Sequence, residues 1–356
     1  MSEPTTTPSA PASATPDAPG TAATAPPSED RSALARMFSS TAGRNIGLVI
    51  ALALLVVVGA VTAGENFMNY DNFLVIARLA SVIGVVAVGV TFVITAGGID
   101  LSVGSVLGLS SVVASLGAIQ TAADGFWPLM VFVAVAVGVL AGLTNGFIIA
   151  YGKVVAFMAT LAMLVAARGL AELISQRQTQ VVSNDGFLDF FRGDLLGVSW
   201  VVWIFVLVAV GGWFLLNRTT FGRRTVAIGG NATAARLAGV NVRRHTVYLY
   251  MLAGACAGIA ATMLLSRTTA GTSTHGQLYE LDAIAAVVVG GTLLVGGRGT
   301  IGGTVLGVLL FSTLTNVFTQ NNLSTSVQLV AKGVIIVGAV MLQQRFANRE
   351  GGSPSP

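Results

Sequence analysis

Ten continuous apolar runs punctuate the chain, at roughly 46–64, 73–95, 101–119, 127–150, 154–174, 199–216, 246–265, 283–296, 302–319 and 325–343. Within them apolar residues follow one another without alternation, as in LVIALALLVVVGAV from Leu48 to Val61. A membrane-crossing helix needs about 20 such residues. Most of the runs reach that length, and 283–296, which does not, is a candidate re-entrant or broken helix. The pattern predicts an all-α polytopic membrane protein of about ten transmembrane or re-entrant helices. A transmembrane β-barrel would need segments of about ten residues alternating apolar and polar, and these runs do not alternate.

Composition agrees. Of the 356 residues 54% are hydrophobic and 10% charged, with a mean hydropathy of +0.80. A soluble domain carries about 25% charged residues, so a water-facing surface cannot be built, which excludes a cytoplasmic or secreted enzyme. Residues 1–44 begin rich in Pro, Ala, Thr and Ser and read as a disordered tail. The first apolar run starts too far along for a signal peptide. Residues 45–345 form the membrane domain and 346–356 a short C-terminal tail.

Basic residues bias the loops. With a cytoplasmic N-terminus, 13 fall inside: Arg31, Arg36, Arg44, Lys153, Arg298, Arg345, Arg349 and six in the loop 217–245. Four fall outside, Arg168, Arg177, Arg192 and Arg267, while Arg78 and Lys332 lie in spans and are expected to snorkel. The positive-inside rule then predicts both termini to be cytoplasmic.

Asp100 is costly in a membrane. It follows Gly97-Gly98-Ile99 and opens an apolar run. It or Ser102 is expected to cap the helix that follows, with a role in a gate or pathway open beside that. Asn145, Thr160 and Asn316 are polar groups in apolar spans, suited to interhelical hydrogen bonds or to a path. No series of intramembrane Asp, Glu or His suggests a proton relay, which weighs against an ion-coupled secondary transporter and a membrane-embedded enzyme. GGIDLSVGSVLG (97–108) and GGRGTIGGTVLG (296–307) are identical at six of twelve positions, and Gly-interrupted segments in two halves point to a transporter's central site. The segments 97–108 and 290–303, with Gly290 and Gly291, are the expected path or gate.

The loop NRTTFGRRTVAIGGNATAARLAGVNVRRH (217–245) holds six Arg and no acid. Asn231 can cap a short helix over Ala232–Ala238 that Gly239 ends. Such a helix is marginal alone, so a soluble partner is its expected support.

The runs GGIDLSVGS (97–105), AIGGNATAARLAGV (227–240) and YELDAIAAVVVGGTLLVGGRGTIGG (279–303) resemble signatures of ribose-type ABC sugar permeases, and the likeness extends over roughly 45–345. The resemblance implies the ABC importer permease fold and the membrane subunit of a monosaccharide importer in the bacterial inner membrane. It implies a separate ATPase that carries ATP-Mg, a secreted or periplasmic sugar-binding protein, and a second permease copy as homodimer partner. Gly229, Gly230, Asn231, Ala234, Ala235, Arg236 and Gly239 match the family's coupling loop, which docks in the ATPase. The acidic residue of that loop in other importers is absent here, Ala232 and Thr233 standing in its place. No cofactor bound by this chain and no nucleic acid is expected.

Other motifs carry little. Gly297-x-Gly299-x-x-Gly302 fits a dinucleotide pattern but lies between membrane spans rather than in a βαβ unit. No ATP-binding P-loop occurs. Cys256, the one cysteine, reads as a buried thiol, and His245 and His275 fall in different loops. Glycines spaced by four, at Gly104–Gly108, Gly138–Gly142–Gly146, Gly254–Gly258 and Gly303–Gly307, permit close helix contact.

Overall fold

The computed structural model describes residues 41–350, so the first forty residues of the expected tail and residues 351–356 lie outside the described part. The described residues are mainly helical. Helix α1 (Thr41–Met68), interrupted by non-helical geometry at Gly64, leads into α2 (Tyr70–Thr95), followed by α3 (Val103–Ala114) and the short α4 (Gly117–Ala122). Next come α5 (Pro128–Ala150) and α6 (Ala156–Ser175), then strand β1 (Gln180–Val181), helix α7 (Asp185–Arg192), and strands β2 (Asp194–Leu195) and β3 (Val198–Ser199). Helix α8 (Trp200–Arg218) leads to α9 (Thr220–Gly230), α10 (Ala232–Leu237) and α11 (Val242–Thr268). Strand β4 (Ala270–Gly271), α12 (Tyr279–Val289), α13 (Ile301–Gln320) and α14 (Thr325–Glu350) complete it.

Seven of these helices are long and apolar enough to cross a membrane: α1, α2, α5, α6, α8, α11 and α13. Every apolar run contains a helix, but the expected span at 101–119 stops at Ala114. Ser115 and Leu116 leave helical geometry there, and α4 begins afresh. The short segment expected at 283–296 is helical over 279–289 instead.

The two short helices α3 and α12 meet inside the bundle. Helix α3 is buried on all sides, and a Cβ on Gly104 in its first turn would overlap the carboxylate of Glu280, in the first turn of α12, and the Gly276 carbonyl. From that meeting point α3 runs towards β4, where Ser115 packs on Gly271, and α12 runs the opposite way to Gly290. Residues 272–278 descend beside α3 as irregular backbone. Arg168 serves them, donating through Nη1 to the carbonyls of Ser273 and of His275 at 2.9 Å. Arg168 is therefore part of α6 and the bundle, not of an outer loop; carbonyls lacking a helical partner in an apolar bundle need such a donor.

Helices α5 and α11 are the closest-packed pair. Gly138 rests on the Gly254 carbonyl, Gly142 on that of Tyr250, and Gly258 on that of Ala134, with no room for a Cβ at any of them. This is what the four-residue glycine spacing was expected to allow. Cys256 is buried on α11 facing Gly89 of α2.

Lys332 does not snorkel freely. Its Nζ lies 3.0 Å from Asp282 Oδ2, tying α14 to α12, with both side chains largely shielded. The pairing relieves the cost of two charges beside an apolar bundle.

Candidate coupling site and gate

Three glycine-rich turns meet at one end of the bundle. The first ends α2. Ala96 caps the helix, Gly97 turns left-handed (φ +80°), and the amides of Gly97 and Gly98 donate to Ile94 and Val93 carbonyls at 2.8 and 3.0 Å. This is a Schellman stop, whose left-handed residue glycine adopts without strain. The second ends α12 in the same way, with Gly291 (φ +89°) and Thr292 donating back to Val288 and Val287. It leads into Gly296 and Gly297, also left-handed at +86° and +79°. The third is the Gly229-Gly230 end of α9.

Contact among them is direct. The Gly297 amide donates to the Thr95 carbonyl at 2.9 Å, Gly296 packs on the Gly97 backbone, and Gly229 lies against both Thr95 and Gly297. Gly299 sits on the Thr95 hydroxyl. The aligned glycines Gly97 and Gly296 of the internal echo are thus neighbours with the same backbone sign, and each lies a few residues before a helix, α3 or α13.

Between Gly98 and Ser102 the chain has no regular structure, and its polar groups are answered by other helices. The Ile99 carbonyl accepts from Tyr250 Oη of α11 at 3.2 Å and from Thr160 Oγ1 of α6 at 3.4 Å. Asp100 Oδ1 accepts from the Ser102 amide at 2.9 Å and the Ser102 hydroxyl at 2.6 Å. Asn145 Nδ2 of α5 then donates to Ser102 Oγ at 2.9 Å. Asp100 is 2% exposed and Asn145 1%, and Asn145 Oδ1 has no partner among the described residues. Asp100 does not cap α3 directly: Ser102 holds the cap position and its hydroxyl is turned to the carboxylate. The reason is local, since an Asx turn two residues long competes with the cap.

The structure brings Gly97, Gly98, Asp100, Ser102, Asn145 and Thr160 into one cluster, with Gly290 and Gly291 at the adjoining turn, where a Cβ on Gly290 would meet the Gly303 carbonyl at 2.5 Å. Asn316 lies elsewhere. It forms a reciprocal amide pair with Asn72 at 2.8 and 3.1 Å, joined by Gln320, between α13 and α2. Sequence reasoning passed over Tyr250; a hydroxyl on an aromatic inside the run YLYMLAGACAGIA was its only signal.

The capped helix expected over Ala232–Ala238 is present as α10 and ends at Leu237, with Ala238 as its cap. Asn231 Oδ1 accepts from the amides of Thr233 and Ala234 at 3.0 and 2.9 Å, and Gly239 turns left-handed at φ +83° just beyond α10. Ala235 alone in α10 is buried, while Arg236 is exposed and Leu237 is 86% exposed. Leu237 is a second residue the sequence did not single out, because exposure is invisible in an Ala/Leu helix. The preceding α9, read as loop from its sequence, is a helix capped by Thr219. It is bolted to the bundle: Thr225 Oγ1 meets His245 Nε2 at 2.8 Å, and Phe221 packs on His245 and Phe92 with ring centroids 4.5 and 6.1 Å away.

A bundle of long apolar helices, two half-length helices meeting inside it, and an exposed capped helix wired to the turns that interrupt the bundle define a polytopic permease subunit. Residues 72–342 match the model of a family described as branched-chain amino acid transport system / permease component. The chain is 41% identical over 304 residues to the ribose import permease protein RbsC of Bacillus subtilis, covering 85% of this chain and 93% of that protein. It is 39% identical over 300 residues to the ribose import permease protein RbsC of Escherichia coli K12, covering 83% and 92%. The L-arabinose transport system permease protein AraH of Escherichia coli K12 is 36% identical over 306 residues, covering 84% and 90%. No solved structure matches. The chain belongs to this family of multi-pass transport permeases of the bacterial inner membrane.

Proposed function

We propose that this permease imports a monosaccharide of the ribose or arabinose type, driven by a separate ATPase that carries ATP-Mg and fed by an extracytoplasmic sugar-binding protein. The family model's description mentions branched-chain amino acids, whereas the relatives named above are sugar permeases. At 36–41% identity over nearly their whole length, those relatives weigh more than a family-wide label.

The observation that carries the mechanism is the contact of Gly229 with both Thr95 and Gly297. In this reading α10 docks in the ATPase through Leu237, Arg236 and its small residues. Closure of the ATPase moves α9, and α9 shifts the two turns that hold α3 and α13. Opening those turns frees the Ile99–Ser102 segment and its polar groups, Asn145, Thr160 and Tyr250, to face a sugar. The glycine-turn end faces the cytoplasm, since it carries Lys153, Arg298 and the Arg-rich stretch 217–245, and the path is completed by a second copy of this chain.

The test is purification in mild detergent, then reconstitution of the chain with the ATPase that accompanies it. ATP-dependent uptake of ribose or arabinose, requiring the binding protein, supports the reading. Uptake by this chain alone, abolished when an ion gradient collapses, refutes it in favour of ion-coupled transport.

A further inference from the structure

At the end of the bundle opposite the glycine turns, Arg78 of α2, Arg192 closing α7 and Arg267 near the end of α11 line one open cavity of about 260 Å³. Ser199 and Thr269 add hydroxyls, Phe191 forms a wall, and no acidic residue lines it. None of the three guanidinium groups makes an ion pair or hydrogen bond with a described residue. Three like charges brought to one cavity by three separate elements repel one another. An anion with several oxygens removes that cost, and a planar guanidinium suits phosphate through paired hydrogen bonds.

We propose that this cavity holds the phosphate of an anionic phospholipid. Two observations favour a lipid over a soluble anion or a protein surface. The wall residue Phe191 belongs to an aromatic cluster in which Trp127 and Trp200 both stack on Phe190, at 4.5 and 5.3 Å. Trp-rich clusters sit at the headgroup level of membranes. Arg78 lies about two turns inside α2, so the cavity is recessed along the bundle and is not at its tip. Below the cavity, Ile204 and Val208 continue from the lining residue Val201 at helical spacing as a half-buried apolar face. Such a track accommodates acyl chains and does nothing for a free phosphate or a carboxylate.

The test is native mass spectrometry of the purified full-length permease, delipidated and titrated with phosphatidylglycerol, with phosphatidylcholine, or with inorganic phosphate. The wild type should retain phosphatidylglycerol about tenfold better than an R78Q/R192Q/R267Q variant, with phosphatidylcholine unaffected. R192Q alone, on a surface helix, should lose about threefold and keeps the test valid if the triple variant folds poorly. Equal phosphatidylglycerol retention by wild type and R192Q overturns the proposal. Displacement of the lipid by millimolar inorganic phosphate overturns it in favour of a free-anion site. Unchanged lipid retention with lost crosslinking to the binding protein overturns it in favour of a protein-docking patch. None of these outcomes depends on which sugar is carried or whether uptake is ATP-driven.

Discussion

Gly229 rests on the carbonyl of Thr95 so closely that a methyl group on it would overlap the oxygen, while Gly230, the next residue, faces open space. The pair makes an internal control. Gly229 has ordinary helical geometry, so alanine there meets no backbone penalty, and its cost is steric overlap of the kind worth about 1–3 kcal/mol. Gly229→Ala should leave ATPase binding intact and lower coupled uptake about tenfold or more, whereas Gly230→Ala should transport normally. Uptake in vesicles with matched permease abundance checks it, and equal rates for the two variants would remove α9 from the coupling route.

The cap of α10 separates docking from transmission. Replacing Asn231 by Ala removes both side-chain bonds that hold the first turn, a loss of about 1 kcal/mol for a typical cap. A six-residue helix has little else to hold it. Asn231→Ala should therefore weaken ATPase binding several-fold, and Asn231→Asp should restore it. In the same assay Arg236→Glu together with Ala235→Asp should abolish binding; intact binding would place the docking surface elsewhere.

Much of this organisation is legible in the sequence for physical reasons. Long apolar runs can be little but membrane helices, and Asn231 followed by a small-residue run ending at Gly239 reads directly as a capped helix. The echo of 97–108 in 296–307 located two turns that prove to touch. The failures are equally physical. Hydropathy marks α3 as a full span because Ser115 and Leu116 are compatible with a helix, whereas in the fold α3 stops where Ser115 packs on Gly271, a contact distant in sequence. Helix α9 is too polar to register as a helix by apolar period, and its ties to His245 and Phe92 lie far along the chain. The apolar runs and the loop-charge bias put Arg168 outside and Lys332 in a span, and neither pattern can see the carbonyls of Ser273 and His275 or the carboxylate of Asp282.

Asp100 tests whether the Ile99–Ser102 segment gates or merely folds. Asp100→Asn keeps an oxygen for the Ser102 amide and hydroxyl but replaces the carboxyl group with an amide, whereas Asp100→Ala leaves the Ser102 amide unpaired in a buried site at a cost of about 1–3 kcal/mol. If the segment moves during transport, Asp100→Ala should lower abundance and Asp100→Asn should alter the uptake rate at normal abundance. Wild-type uptake by both Asp100→Asn and Asp100→Ser at equal abundance would leave the carboxylate a purely structural part.

The ion pair between Lys332 and Asp282 predicts an order of stabilities. Both side chains are mostly shielded, 14% and 17% exposed, so removing one partner leaves the other charge poorly solvated against α12 or α14. Lys332→Met and Asp282→Asn should each lower the detergent-solubilised melting temperature, Lys332→Met the more because it leaves a carboxylate unpaired. The double variant should recover most of the loss, because a neutral pair packs there without a desolvation cost. Since α12 ends in the Gly290-Gly291 turn that adjoins Thr300 and Gly303, loosening its other flank should also raise basal ATPase activity of the reconstituted complex. A double variant that melts no higher than either single one would mean that the two charges do not act as a pair.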